Sequence, residues 1–265
     1  MIDKIVVSTD ENFRNFIPIA CAAWKKFFPS IDVEIAYVTK RNISDPIFEK
    51  IKKYGNLTVY EPVEGIPTQN QAKIARHFLA SSMGGKICSI EDIDTIPMQR
   101  EFFEKLFSHR LQGALLAVGA EVFKGTEHDG KFPMSSITAE GYIFKEFINP
   151  NDLGFKALIE SFIGIKKFDI KEDISAPPDI FSDESLMRHL ISEWPERRVQ
   201  HVNRDVNIKT DWIDRSWWCV DSERMRNSEY VICNFMRPFE NHMHAYGEIV
   251  DYITPGSTPR DMLLE

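Results

Sequence analysis

The sequence predicts an α/β fold built on a doubly wound, mostly parallel sheet, and three observations carry that prediction. Apolar runs of strand length alternate with helix-length amphipathic segments through the first hundred residues. Turn and cap formers separate them, as in "STDEN" after the first run and Gly84-Gly85 after the third helical segment. The chain has 265 residues, 43% of them hydrophobic, which is ample for a large core.

Ile5–Ser8 is a β-branched run and opens the array as a strand. A helix follows, its apolar face made by Phe16, Ile17, Ile19, Ala20, Ala23, Trp24 and Phe27, and Pro29 ends it. Val33–Val38 is the second strand. "DPIFEKIKKYG" reads as a short helix with Asp45 at its cap, Pro46 at its first position and Gly55 at its end. "LTVYEP" is the third strand, "TQNQAKIARHFLASSMGG" a helix, and "KICSI" the fourth strand. The second half is less regular. Gln112–Phe123 and "AEGYIFKEF" read as strands, "FKALIESFIGI" as a helix, and another helix begins near Asp183. No linker or internal repeat divides the chain, so one domain over residues 1–265 is expected, with functional halves at 1–110 and 111–265.

The formal net charge of -8 argues against non-specific nucleic-acid binding, which calls for a basic surface. Cys21, Cys88, Cys219 and Cys233 form no C-x-x-C pair and read as free core thiols. The N-terminus lacks the basic and apolar regions of an export signal, and no apolar run reaches membrane-spanning length. A soluble, cytoplasmic protein without a transmembrane segment is therefore expected, and the N-x-S/T tripeptides at Asn42 and Asn56 are taken as chance.

The chemistry concentrates where the fourth strand ends, in "EDIDTIPM". Alternation along a strand would put Asp92 and Asp94 on one side, where their repulsion invites a shared cation. Oxygen ligands of this kind suit Mg²⁺ or Mn²⁺, with substrate phosphates completing the shell. The alternative is a solvated turn whose acids cap the next helix. On the preceding helix Ile74, Ala75, Phe78 and Leu79 make the core face, while Lys73, Arg76 and His77 fall on the other. Lys73 and Arg76 could grip a diphosphate opposite the carboxylates, or be a solvated basic face, and His77 reads as a surface residue. Asp10 also lies at a strand end, where parallel sheets bind ligands.

Three segments, "KIVVSTDENFRNFIPIACAAWKKFFP", "NQAKIARHFLA" and "KICSIEDIDTIPM", together resemble the nucleotide-sugar domain of GT-A fold glycosyltransferases, in particular the small soluble enzymes of large DNA viruses and bacteria. The resemblance covers roughly the first hundred residues. It implies a Rossmann-like GT-A sheet with an appended C-terminal acceptor region, and a nucleotide-diphosphate sugar as donor. It implies Mn²⁺ or Mg²⁺ on Asp92 and Asp94, and nucleoside contacts from Ser8, Thr9 and Asp10. Lys73, Arg76 and Asp92 would then meet the donor, and a glycan or another hydroxyl compound would be the acceptor.

Such enzymes often add a C-terminal His to the metal. Here Asn234 stands before "RP" where that His is sought, and His242 and His244 follow, so His244 is the expected third ligand. For an inverting reaction, Asp183 and Glu184 are the candidate base, at a helix start where they could equally be caps. Glu140 is a second choice, facing the acceptor from a strand edge. Among Trp212, Trp217 and Trp218, with Asp214 and Arg215 between, a sugar-stacking role competes with burial, and burial is expected for at least two. A sugar-nucleotide pyrophosphorylase would share the acids, but "STDENFRN" lacks the glycines of its phosphate loop. A non-catalytic nucleotide- or glycan-binding protein is the remaining alternative.

Overall fold

The computed structural model describes residues 2–119, 125, 135–163, 183–203 and 211–264, without the side chains of residues 163, 183–185 and 188. The first half follows the strand–helix alternation: β1 (Lys4–Thr9), α1 (Ile17–Phe27), β2 (Asp32–Val38), α2 (Ile47–Ile51), β3 (Asn56–Tyr60), α3 (Thr68–Ser81) and β4 (Ile87–Ile90). Then come β5 (Thr95–Pro97), α4 (Arg100–Ser108), β6 (Leu115–Val118), β7 (Ile137–Glu140), α5 (Gly141–Ile148), α6 (Phe155–Ile163) and α7 (Asp183–Glu193). The chain finishes with β8 (Val199–Val202), β9 (Asp211–Ile213), α8 (Ser222–Arg226), β10 (Tyr230–Asn234), α9 (Phe239–His242) and α10 (Gly247–Ile253).

The described strands form a seven-stranded sheet in the order β3-β2-β1-β4-β7-β6-β8, and a small sheet β5-β10-β9. β7 is antiparallel to both its neighbours, and every other pairing in the large sheet is parallel. This is a mostly parallel, Rossmann-like architecture. Alternate residues feed two cores. Ile5 and Val7 of β1 pack under α1 and α4, while Val6 packs with α3, α5 and α6 on the other face. Under α1, Trp24 meets Phe103 at 5.0 Å between ring centroids and Phe103 meets Phe102 at 5.2 Å, both edge to face. Burying side chains of this size stabilises by roughly 1.5–3 kcal/mol each, which clamps α1 and α4 to the sheet.

Four local expectations are corrected. The segment "GYIFKEF" is helix α5 rather than a strand, since Ile143, Phe144, Phe147 and Ile148 recur on one helical face. Only Gly fits at its first residue: a Cβ on Gly141 would lie 2.8 Å from the backbone of Ala80 and Gly84, because α5 starts against the end of α3. The strand expected at 112–123 is β6, four residues long, and residues 120–123 lie outside the description. Three of the four cysteines are buried free thiols, but Cys219 is exposed.

His77 is the fourth correction. It is buried, 0% exposed, rather than a surface residue. The apolar stripe of α3 covers the sheet, but α5 packs on the side read as solvent, where its Phe144 meets the His77 ring at 6.3 Å between centroids. Gln71 Nε2 donates to the Val63 and Ile66 carbonyls before α3 and Arg76 reaches the turn after β4, so both are as buried as His77, Ile74 and Leu79. No helix among the described residues is long and apolar enough to cross a membrane.

Candidate functional site

A parallel sheet leaves a crevice beyond the carboxyl ends of its strands, and here the cleft opens beyond β1 and β4. Ser8, Thr9 and Asp10 enter it from β1, and Lys73 and Arg76 from α3. Asp92 and Asp94 enter from the turn after β4. Seven residues expected from the sequence thus share one cavity. Phe13, Gln69 and Arg237 complete much of its wall.

Asp10 anchors the β1 exit. Its Oδ1 accepts from the Asn12 amide at 3.0 Å, and its Oδ2 from Thr68 Oγ1 at 2.8 Å, tying the strand end to the start of α3. Beside it, Glu11 Oε1 accepts from Tyr37 Oη at 2.8 Å, Thr39 Oγ1 at 2.6 Å and Arg41 Nε at 2.8 Å. Burial alone would raise the Glu11 pKa. The Arg41, Thr39 and Tyr37 hydrogen bonds overcome that and hold it at about 2.

The acid pair does not sit on a strand. β4 ends at Ile90, and the Thr95 amide donates to the Asp92 carbonyl at 3.2 Å, so a turn brings Asp92 and Asp94 together rather than strand alternation. A buried polar chain fixes that turn from below. Thr138 Oγ1 donates to Ser89 Oγ at 3.0 Å, Ser89 Oγ donates to Glu91 Oε1 at 2.7 Å, and Ser136 Oγ donates to Glu91 Oε2 at 3.1 Å. Burial pushes the Glu91 carboxyl up to about 7 against these donors.

Both carboxylates of the pair face guanidinium groups. Arg76 Nη1 donates to the Glu91 carbonyl at 2.9 Å and to Asp92 Oδ1. Asp92 keeps 32% of its side chain exposed towards the cleft. Burial would raise its pKa, but the charge and hydrogen bond of Arg76 outweigh that, with Arg237 and Lys73 adding, and hold it at about 2. Asp94 is only 2% exposed, and its Oδ2 accepts from Arg215 Nη1 at 2.9 Å and from Arg237 Nε. Arg237 also lies over the Phe13 ring at 5.2 Å.

These two arginines were not expected as partners of the acid pair. The cue in the sequence was modest: a basic residue before Pro238, just past the apolar run "YVICN". β10 ends at Asn234, whose Oδ1 accepts from Thr95 Oγ1 at 2.8 Å, and Phe235 N donates to the Asp94 carbonyl at 2.8 Å. That crossing leaves Arg237 next to Asp94.

Other candidates stand elsewhere. His244 is exposed in the Met243–Ala245 turn and does not line the cleft, and His242 does not line it either. Glu140 is the last residue of β7 and pairs in register with Ile87, at the opening end of β4, whereas the cleft lies beyond Ile90. It is buried, and its Oε1 accepts from Arg110 Nη1 at 2.6 Å. The reading of Glu140 as a group facing the acceptor is thereby corrected, because antiparallel β7 carries it to the opposite edge. Asp183 and Glu184 open α7 as expected, but their side chains lie outside the described residues. Trp212 and Trp218 pack against the core, and Trp217 is exposed.

Asp92 and Asp94 are the groups in the cleft that could hold a divalent ion. Both are hard oxygen donors lining the same space, enough for Mg²⁺ or Mn²⁺ when phosphates supply the remaining ligands. Among the described residues no group of three or more His, Cys, Asp or Glu side chains could hold a metal by itself. Asp10, Asp92 and Asp94 are matched in number and opposed in sign by Lys73, Arg76 and Arg237 around the cavity. A bound diphosphate brings further negative charge, and a divalent cation would restore the balance.

No protein-family model matches the chain, and no curated protein matches it. Among solved structures, the chain is similar to the galactosyltransferase LgtC in complex with donor and acceptor sugar analogs, with a TM-score of 0.54 and 13% identity. That likeness covers 98% of this chain and 100% of the other. The structure of an active-site mutant of LgtC gives a TM-score of 0.51 at 15% identity, over 89% of this chain and 88% of that one. The likeness establishes the GT-A fold.

Proposed function

We propose that this chain is a glycosyltransferase that moves a hexose or related sugar from a nucleotide-diphosphate sugar to a hydroxyl group, with a glycan the favoured acceptor. The observation that carries the reading is the cleft itself. Lys73, Arg76 and Arg237 converge there on Asp92 and Asp94, beyond the carboxyl ends of β1 and β4. A structure similar in fold holds donor and acceptor sugar analogs, which supports the same division of labour here.

Ser8, Thr9 and Asp10, fixed through Thr68 and Asn12, receive the nucleoside. Lys73 and Arg237 face the diphosphate and stabilise the charge that grows on it as the glycosidic bond breaks. Arg76 holds Asp92 ionised and aimed into the cleft. Asp92 and Asp94 would hold Mn²⁺ or Mg²⁺, which supplies Lewis-acid neutralisation of the leaving diphosphate when bound. A carboxylate at the start of α7, Asp183 or Glu184, takes the acceptor proton if the reaction inverts the anomeric carbon.

The test is release of nucleoside diphosphate from UDP-glucose, UDP-galactose, UDP-N-acetylglucosamine and GDP-mannose, each with Mn²⁺ and a mixed glycan acceptor pool. Turnover of one donor, lost in Lys73→Ala, supports the proposal. Thermal stabilisation by nucleotides with no release from any donor would favour a binding protein of the same fold.

A further inference from the structure

Trp217 is 83% exposed, on the 3-10 turn Arg215–Trp217. Exposure of a whole indole is costly unless something covers it, because Trp is highly buried on average. The turn that carries it is held firmly. Trp218 packs on Phe235 at 5.9 Å and edge-on to Tyr246 at 5.2 Å between centroids. Asp214 Oδ1 accepts from the Ser216 amide at 2.8 Å, and Arg215 Nη1 donates to Asp94 at 2.9 Å. Packing therefore fixes the turn, and the Trp217 ring stands exposed on it.

Its place is equally specific. Two residues of chain span at most about 7 Å between Cα atoms, so Trp217 follows closely on the arginine that touches Asp94. Among the described residues, the other large exposed hydrophobics, Ile43, Leu111 and Tyr142, lie on no turn bonded to Asp92 or Asp94. A pyranose ring has a face of polarised C–H bonds and a rim of hydroxyls. An indole presents an electron-rich apolar face to the first, and the neighbouring Asp214 and Arg215 offer hydrogen-bonding groups to the second. We infer that Trp217 is the platform on which a pyranose ring of a carbohydrate acceptor stacks, on the rim of the donor cleft. This rests on the glycosyl-transfer reading of that cleft.

The experiment compares wild type, Trp217→Phe and Trp217→Ala, with lactose, maltose and N,N′-diacetylchitobiose as probes. Kinetics use the donor that wild type turns over. Saturation-transfer NMR reads glycan contact with nucleoside diphosphate present, and sedimentation reads self-association. Trp217→Ala should raise the acceptor KM about 2- to 12-fold, the worth of one aromatic contact, and weaken saturation transfer correspondingly. Donor KM should stay within about twofold, and Trp217→Phe should retain most of the contact.

An unchanged acceptor KM and unchanged saturation transfer in Trp217→Ala would overturn the inference, as would the absence of saturation transfer from wild type to all three probes. Loss of a dimer with acceptor KM unchanged would overturn it too, marking Trp217 as a contact between copies. The two readings fail separately. Trp217-dependent glycan contact without release from any donor removes the transfer reading and keeps the platform. Donor turnover indifferent to Trp217 does the reverse.

Discussion

Replacing Arg76 with Ala should both destabilise the protein and weaken donor binding, because this side chain belongs to the core and the cleft together. Arg76 is 3% exposed, and its Nη1 serves the Glu91 carbonyl and Asp92 Oδ1. Removing one partner of a buried ion pair costs roughly 3–5 kcal/mol when the other charge stays buried. Asp92 is one-third open to the cleft and regains water, which brings that part down to about 1–2 kcal/mol. The Glu91 carbonyl, left beneath the turn, adds about 1 kcal/mol or more. The expected loss is thus on the order of 2–4 kcal/mol, read as a lower urea midpoint at unchanged m-value. Lys73, half-buried on the same helix, is the control. Lys73→Ala should cost donor affinity about 1–3 kcal/mol and change the midpoint little. An Arg76→Ala protein with the wild-type midpoint would refute the placement of Arg76 in the core.

Acid should expose His77: among the described residues its ring nitrogens have no hydrogen-bond partner, and burial, then the charge of Arg76, keeps its pKa well below 6.5. The unfolded chain binds a proton there near pH 6.5 and the folded chain does not, so stability should fall by up to about 1.4 kcal/mol per pH unit below that point. Thermal melts of His77→Phe and wild type from pH 7.5 to 5 should diverge in slope, and parallel curves would count against it. Nucleoside diphosphate should raise the melting temperature more with Mn²⁺ or Mg²⁺ than with EDTA, an increment Asp94→Asn should lose. Equal shifts with and without metal would remove the ion from the reading. If the reaction inverts, Asp183→Asn or Glu184→Gln should slow transfer by about 10²–10⁴-fold with donor binding intact. Wild-type rates in both would leave the pair as a helix start.

The first four strands, α1, α3 and the crevice were legible because they rest on local periodicity and on the rule that parallel sheets bind ligands at their carboxyl ends. The reading failed where a second layer intervened. The apolar stripe of α3 marks the side that meets the sheet, but nothing in "KIARHF" announces that α5 covers His77 or that the turn after β4 receives Arg76. His77 therefore looked solvated, and Arg76 was read against a diphosphate or solvent rather than against Asp92. Glu140 failed for a topological reason, since the direction of β7 decides which end of the sheet its last residue occupies. Composition does not encode that direction.

The arginines on Asp94 were out of reach for a further reason: they come from 121 and 143 residues away. Their arrival changes what Asp94 is. Its side chain binds the turn after β9 through Arg215 and the segment after β10 through Arg237, while its backbone carbonyl takes the Phe235 amide. One carboxylate thus joins the β4 exit to the C-terminal sheet and also faces the cleft. Asp94→Ala would leave two guanidinium groups without their acceptor and loosen that junction, whatever the cleft binds. Asp94→Asn keeps an oxygen acceptor for the arginines while removing the charge a divalent ion needs. Only the second substitution separates the two roles. A metal-dependent increment lost in Asp94→Asn, with the urea midpoint held near wild type, would assign the charge to the ligand and the hydrogen bonds to the fold.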